Sequence, residues 1–160
     1  MSTLADLIKQ DRFESPAHEA ILNVMVTYPW IMGELSTAMA EYDLTPAQYN
    51  VLRILRGCHP ERATCSYIGE RLLDRTPDVT RLLNRLQRAG LIERRRATHD
   101  RRVVEVWITD EGQKRLRKAD QPVGEMIERI TAGLTEEEHR TLSDLLEKLR
   151  LGALVPAEAD

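Results

Sequence analysis

The stretch Thr76–Gly112, TPDVTRLLNRLQRAGLIERRRATHDRRVVEVWITDEG, decides the fold. Val79, Leu82, Leu83 and Leu86 recur at i, i+3, i+4 and i+7, which predicts a helix over Thr76–Ala89 with one apolar stripe. At about 100° per residue the opposite face carries Pro77, Arg81, Asn84 and Arg88, flanked by Thr80 and Arg85. Gly90 is a stop signal. Leu91–Arg95 and Val103–Ile108 then read as an antiparallel hairpin, and the turn between them, Arg96–Arg102, adds three cationic side chains. Positive charge therefore gathers on one helix face and in one turn.

Working outward, Ser15-Pro16 is a helix start, with a capping hydroxyl and Pro at the first helical position. Apolar spacing carries that helix to about Tyr42, with Pro29 expected to kink it. Thr45-Pro46-Ala47-Gln48 is a capping box for a helix ending at Gly57. Cys58–Thr64 reads as a loop, and Ser66 as the cap of a short helix through Leu73. Thr109 caps a further helix that Pro122 should bend or split, and Thr135–Glu138 is a second capping box for the last helix. The expected fold is mainly α with a small β-hairpin wing. It combines a winged helix-turn-helix over residues 45–108 with a helical dimerisation region over 15–42 and 109–151.

The 160 residues carry a net charge of −3, but unevenly. Arg53–Lys118 holds 17 Lys and Arg against 9 Asp and Glu, and the remainder holds 6 against 17. A basic block inside an acidic protein points to a localised polyanion site, because phosphate neutralisation needs clustered cations. Aromatic content of 4% argues against a ring-walled enzyme pocket, and no apolar run nears the ~20 residues of a membrane helix. The N-terminal residues lack the apolar core of a signal peptide, so a cytoplasmic location is expected. There is no glycine-rich phosphate loop, HExxH or nucleophile elbow, and the four His are scattered, so no enzyme activity is expected.

Double-stranded DNA is the partner this pattern suits. Arg81 can donate twice to guanine O6 and N7, Thr80 can reach a thymine methyl or a phosphate, and Asn84 can read adenine. Arg85 and Arg88 are placed for phosphates, and Thr76 with the first backbone N–H groups can hold another. Asp78 reads either as a first-turn acid or as an acceptor for cytosine N4, the former being commoner in any helix. In the wing, Arg102 or Arg101 can enter the minor groove, with Asp100 orienting the guanidinium.

These pieces in this order resemble the MarR family of transcription regulators. The matching residues are Leu44–Leu52 (LTPAQYNVL), Val79–Leu86 (VTRLLNRL), Gly90-Leu91-Ile92, the wing Asp100-Arg101-Arg102, and Ile108–Gly112 (ITDEG). The resemblance spans roughly Ala17 to Leu149. It implies a homodimer built from the first helix and the two C-terminal helices. It further implies a palindromic promoter site, usually repression, and release by a small ligand or by oxidation. The family's wing aspartate and arginine fall on Asp100 and Arg102, and Pro29 departs from the pattern. The apolar stripes of the first and last helices independently suggest a two-fold dimer, which would set two recognition helices about one DNA turn, ~34 Å, apart.

For an effector, His18, Tyr28, Trp30 and Met32 are candidate pocket residues, ordinary packing being the competing reading for each. Cys58 and Cys65 can be a thiol redox switch or simply structural thiols. A metal site is not expected, since four ligands with paired spacing are absent, and no cofactor is expected. A winged-helix module that binds protein instead of DNA is the rival class, which Arg81, Arg85 and Arg88 oppose.

Overall fold

The Gln48 backbone N–H donates to Thr45 Oγ1 at 3.3 Å, and the Thr45 N–H donates to Gln48 Oε1 at 2.8 Å. With Pro46 at the first helical position, this reciprocal cap starts a helix that buries Tyr49, Val51, Leu52 and Leu55. In the computed structural model, which describes residues 3–10, 12–74, 78–98, 100 and 102–152, that helix is α3, Pro46–Cys58. It follows α1, Leu4–Ile8, then α2, Pro16–Met39, and a 3-10 turn over Ala40–Tyr42. After α3 come β1, Ala63–Thr64; α4, Cys65–Arg71; α5, Val79–Arg88; β2, Ile92–Arg96; β3, Val104–Ile108; α6, Asp110–Thr131; and α7, Glu136–Gly152. Helices dominate, and the strands form one antiparallel sheet in the order β1-β3-β2. The mainly α fold with a hairpin wing is the one expected from the sequence.

Several local expectations are corrected. The loop placed at Cys58–Thr64 contains β1, which pairs Ala63 with Val106 and Thr64 with Glu105. Two residues are too few to show a period, and what fixes them is the burial of Ala63, 2% exposed. Thr64, not Ser66, caps α4, accepting from the Tyr67 N–H at 3.1 Å. That helix ends at Arg71, two residues earlier than expected. α5 begins at Val79 behind Asp78, whereas the sequence suggested a start at Thr76, and Thr76 and Pro77 lie outside the described residues. Pro122 does not split α6, since losing one N–H removes a single ladder bond while the flanking Ala119 and Val123 stay buried.

The chain divides into two compact units, Met1–Gly124 and Glu125–Asp160. In the first, Leu52, Leu55, Ile68, Leu83, Leu86, Leu91, Ile92, Val106 and Leu116 are almost fully buried. Along α2 of that unit, Ile21, Val24, Met25 and Tyr28 remain exposed. In the second unit, Thr135 and Glu138 form the α7 capping box. The hydrogen bonds from the Thr135 backbone and hydroxyl hold the Glu138 carboxyl below the usual range. Leu142, Leu145 and Leu149, at i, i+3 and i+7, leave an exposed apolar stripe on α7.

Two tight joints fix the wing to its surroundings. Gly90, at φ +71°, ends α5 in the left-handed region, and the Leu91 N–H reaches back to Leu86 O at 3.0 Å. At the start of α6, Thr109 Oγ1 donates to Gly90 O at 2.8 Å and accepts from the Gly112 N–H at 3.0 Å. A Cβ on Gly112 would stand 2.1 Å from Leu91 O and 2.8 Å from Ile108 Cγ1. Elsewhere, the buried Tyr49 hydroxyl donates to Asp120 Oδ1 at 2.9 Å, and Arg56 pairs with the same carboxylate, tying α3 to α6. Burial, then the hydrogen bond to Asp120, then that carboxylate's charge push the Tyr49 pKa from 10.0 up to about 12.

Gly112→Ala is expected to cost about 1–3 kcal/mol, because the clash is with backbone that cannot rotate away; a denaturant midpoint equal to wild type would contradict the joint described. A phenol whose pKa rises on folding stabilises the fold below its unfolded pKa and loses that contribution as pH climbs through the folded one. The stability gap between wild type and Tyr49→Phe should therefore be full below pH 10 and shrink between pH 10 and about 12, as urea titrations across that range would show.

Candidate nucleic-acid interface

α5 is held from one side only. Leu82, Leu83 and Leu86 point inward at 7%, 0% and 0% exposure, while Thr80, Arg81, Arg85 and Arg88 face outward and Asn84 is half-buried among them. Among the described residues, Arg81, Arg85 and Arg88 enter no ion pair. Their charge is left to solvent, or to a polyanion. Asp78 is settled as the N-cap: its Oδ1 accepts from the Arg81 backbone N–H at 3.1 Å, which occupies the carboxylate on its own helix. A groove of about 250 Å³ runs between α3 and α5, bordered by Thr45, Asp78, Arg81 and Arg85.

The wing hairpin pairs Ile92 with Ile108 and Arg96 with Val104. At its tip, Asp100 Oδ1 accepts from the Arg102 backbone N–H at 2.9 Å, and Asp100 O accepts from the Val103 N–H at 3.0 Å. Asp100 thus shapes the turn through the Arg102 backbone, whereas the sequence suggested a contact with the guanidinium. Arg102 is exposed, and Arg101 lies outside the described residues. Glu105 of β3 takes Arg62, just before β1, at 2.6 Å and Arg95 of β2 at 3.8 Å, and the Arg62 guanidinium lies 4.7 Å from the Trp107 ring centre.

Arg94 went unnoticed in the sequence. Its Nε donates to Gln87 Oε1 at 2.7 Å and its Nη2 to Asn84 Oδ1 at 2.5 Å, which joins β2 to α5. Strand parity carries the signal: Ile92 is buried, so a residue two further on shares its face and turns toward the helix.

The comparisons agree with this geometry. Residues 42–103 match the MarR family. The HTH-type transcriptional repressor MdtR of Bacillus subtilis (strain 168) is 30% identical over 132 residues, covering 82% of this chain and 84% of that protein. The chain belongs to the MarR family. It is a DNA-binding winged-helix transcription regulator and not an enzyme. Among solved structures, a MarR transcription factor from Planctomyces limnophilus is 37% identical with a TM-score of 0.66, covering 90% of this chain and all of that one. A mutant MarR from E. coli complexed with operator DNA is 29% identical with a TM-score of 0.71, covering 79% and 89%.

Two of the four expected pocket residues of this MarR-family chain line a cavity of about 150 Å³. Tyr28, Met32 and Leu35 of α2 face Pro46, Ala47 and Asn50 of α3, with Leu72 and Leu73 closing the side and Asn50 Oδ1 accepting from the Leu73 N–H at 3.0 Å. Trp30 and His18 do not line it. Two residues along a helix turn a side chain by about 200°, so Trp30 points away from Tyr28 and stays 50% exposed. His18 lies ten residues upstream, about 15 Å along the axis, where its Nδ1 accepts from the Glu14 N–H at 3.4 Å.

Cys58 ends α3 and Cys65 begins α4, and both are half-buried thiols. Cys58 is hydrogen-bonded to the Tyr67 hydroxyl, which raises the Tyr67 pKa, while the Arg71 guanidinium stacks 3.4 Å from the centre of that ring. Among the described residues no three His, Cys, Asp or Glu side chains gather as for a metal ion, and no helix is long and apolar enough to cross a membrane.

Proposed function

We propose that this protein is a repressor that binds a palindromic promoter site as a homodimer, with α5 in the major groove and the wing tip in the minor groove. The observation that carries this reading is the unpaired arginine face of α5, whose opposite face is wholly committed to the core. Arg81 and Thr80 contact bases, Arg85 and Arg88 contact phosphates, and Arg102 enters the minor groove. Thr76, Pro77 and Arg101 complete the contact set by their place in the sequence beside these residues. Repression follows the character of MdtR, a transcriptional repressor similar over most of its length.

Residues 45–108 form the DNA-binding region in this reading, and 15–42 and 109–151 supply the dimerisation region. The support is that α2 and α7 each leave an apolar row exposed, which a second copy would cover. A small apolar effector is the releasing signal, since the cavity beside Tyr28 and Met32 is walled mainly by carbon and its floor includes the segment leading to α5.

Salt-dependent gel shifts on the protein's own promoter test the DNA contacts. Arg81→Ala should weaken binding and relax preference by roughly 1–3 kcal/mol at one base pair. Arg102→Ala should weaken it more evenly across sequences and flatten the salt slope by about one. Equal wild-type affinity for promoter and random DNA at every salt concentration would sink specific regulation. Sedimentation at micromolar protein should give a dimer, and a monomer alone would remove the two-fold geometry.

A further inference from the structure

Asn84 sits on the outward face of α5, one turn beyond Thr80 and Arg81, with its amide clasped from behind. Arg94 Nη2 donates to Asn84 Oδ1 at 2.5 Å while Arg94 Nε donates to Gln87 Oε1 at 2.7 Å. A guanidinium has only donors, so it can face only the oxygen end of each carboxamide. Chemistry alone therefore fixes which way Asn84 points: oxygen toward the hairpin, NH2 away from it. That NH2 makes no hydrogen bond among the described residues. Arg94 is itself half-buried and doubly held, so the clasp is anchored at both ends.

An asparagine that reads adenine uses both ends of its amide, accepting from N6 and donating to N7. Asn84 with its oxygen turned toward the hairpin presents its NH2 donor outward. We infer that Arg94 is a positioning residue that commits Asn84 to donate. The base under Asn84 is then chosen for an acceptor in the major groove, guanine O6 or N7, adenine N7 or thymine O4, and the cytosine N4 amino group is disfavoured there. This narrows the adenine-reading role suggested by the sequence to a single donated hydrogen bond, and it rests on the proposed docking of α5 in the major groove. It also makes the hairpin part of base selection, because the group that sets Asn84's polarity belongs to β2 and not to the recognition helix.

The test uses duplexes that the wild-type protein selects from a random pool, followed by every single base-pair variant of the selected site. Wild type, Asn84→Asp, Arg94→Met and Arg81→Ala are compared by relative affinity across that set, with thermal unfolding of each. Asn84→Asp keeps an acceptor for Arg94 and nearly the same volume but has no donor. Its added charge lowers affinity for all sites, so the readout is the change in preference. At one base pair it should lose roughly 5- to 10-fold preference for the wild-type base and turn toward cytosine. Arg94→Met should relax preference at that same base pair and leave the one read by Arg81 unchanged. A uniform loss of affinity in Arg94→Met, or a wild-type base profile in both Asn84→Asp and Arg94→Met, overturns the inference. If Arg94→Met fails to fold, Asn84→Asp decides alone. Arg81→Ala separates the two readings. If it still relaxes preference while both other profiles stay unchanged, only the clasp falls; if it too leaves preference unchanged, the major-groove reading falls first.

Discussion

A helix that offers one face to a polyanion has only its other face by which to be held. α5 is ten residues long, too short to be stable by itself in water, so three leucines and two caps must carry it. Leu82, Leu83 and Leu86 supply the apolar anchor, Asp78 closes the N-terminal end and Gly90 closes the C-terminal end. Everything around serves that anchor: α3 and α4 give it a floor, β2 runs back along it, and Thr109 and Gly112 lock the exit of the wing onto the residues just after it. Outward, Thr80, Arg81, Arg85 and Arg88 are thus free of structural duty, while Asn84 is tied to the hairpin by Arg94.

The arginines of the basic block divide along the same line. Two near the sheet are paired within the protein, Glu105 taking both Arg62 and Arg95. Those on the outer face of α5 carry no ion pair among the described residues. Exposed pairs contribute little to stability, so these two add little to folding. Asp78, an acid in the middle of this surface, fits once its carboxylate is seen to face the first turn of its own helix, where the N-terminal dipole also favours a negative charge.

How much of this was legible follows from the length scale of each signal. The two-faced helix, the hairpin and both capping boxes were readable because each spans several residues of regular spacing or a fixed reciprocal pair. β1 was not, since two residues show no period and their partner, β3, lies some forty positions away. The α4 cap moved from Ser66 to Thr64 because either hydroxyl satisfies the local pattern and only the sheet pairing of Ala63–Thr64 decides between them. Trp30 was grouped with Tyr28 by nearness in sequence, where helical phase separates them. The clasp of Arg94 on Asn84 and Gln87 joins two elements across a turn, which composition cannot show, although strand parity from Ile92 would have pointed Arg94 at the helix.

The same structure constrains how an effector could act on DNA binding. A ligand shifts an equilibrium only by its difference in affinity for two conformations, so a site matters to DNA release only if filling it alters the position of α5. The Tyr28–Met32 cavity is bordered by residues that precede α5 in the sequence. Leu72, Leu73 and Asp74 line it, and Asn50 holds the Leu73 N–H from α3. The leucine anchor of α5 lies on the opposite side of that helix from Arg81, so a small rotation about it moves the outward arginines most and the core least.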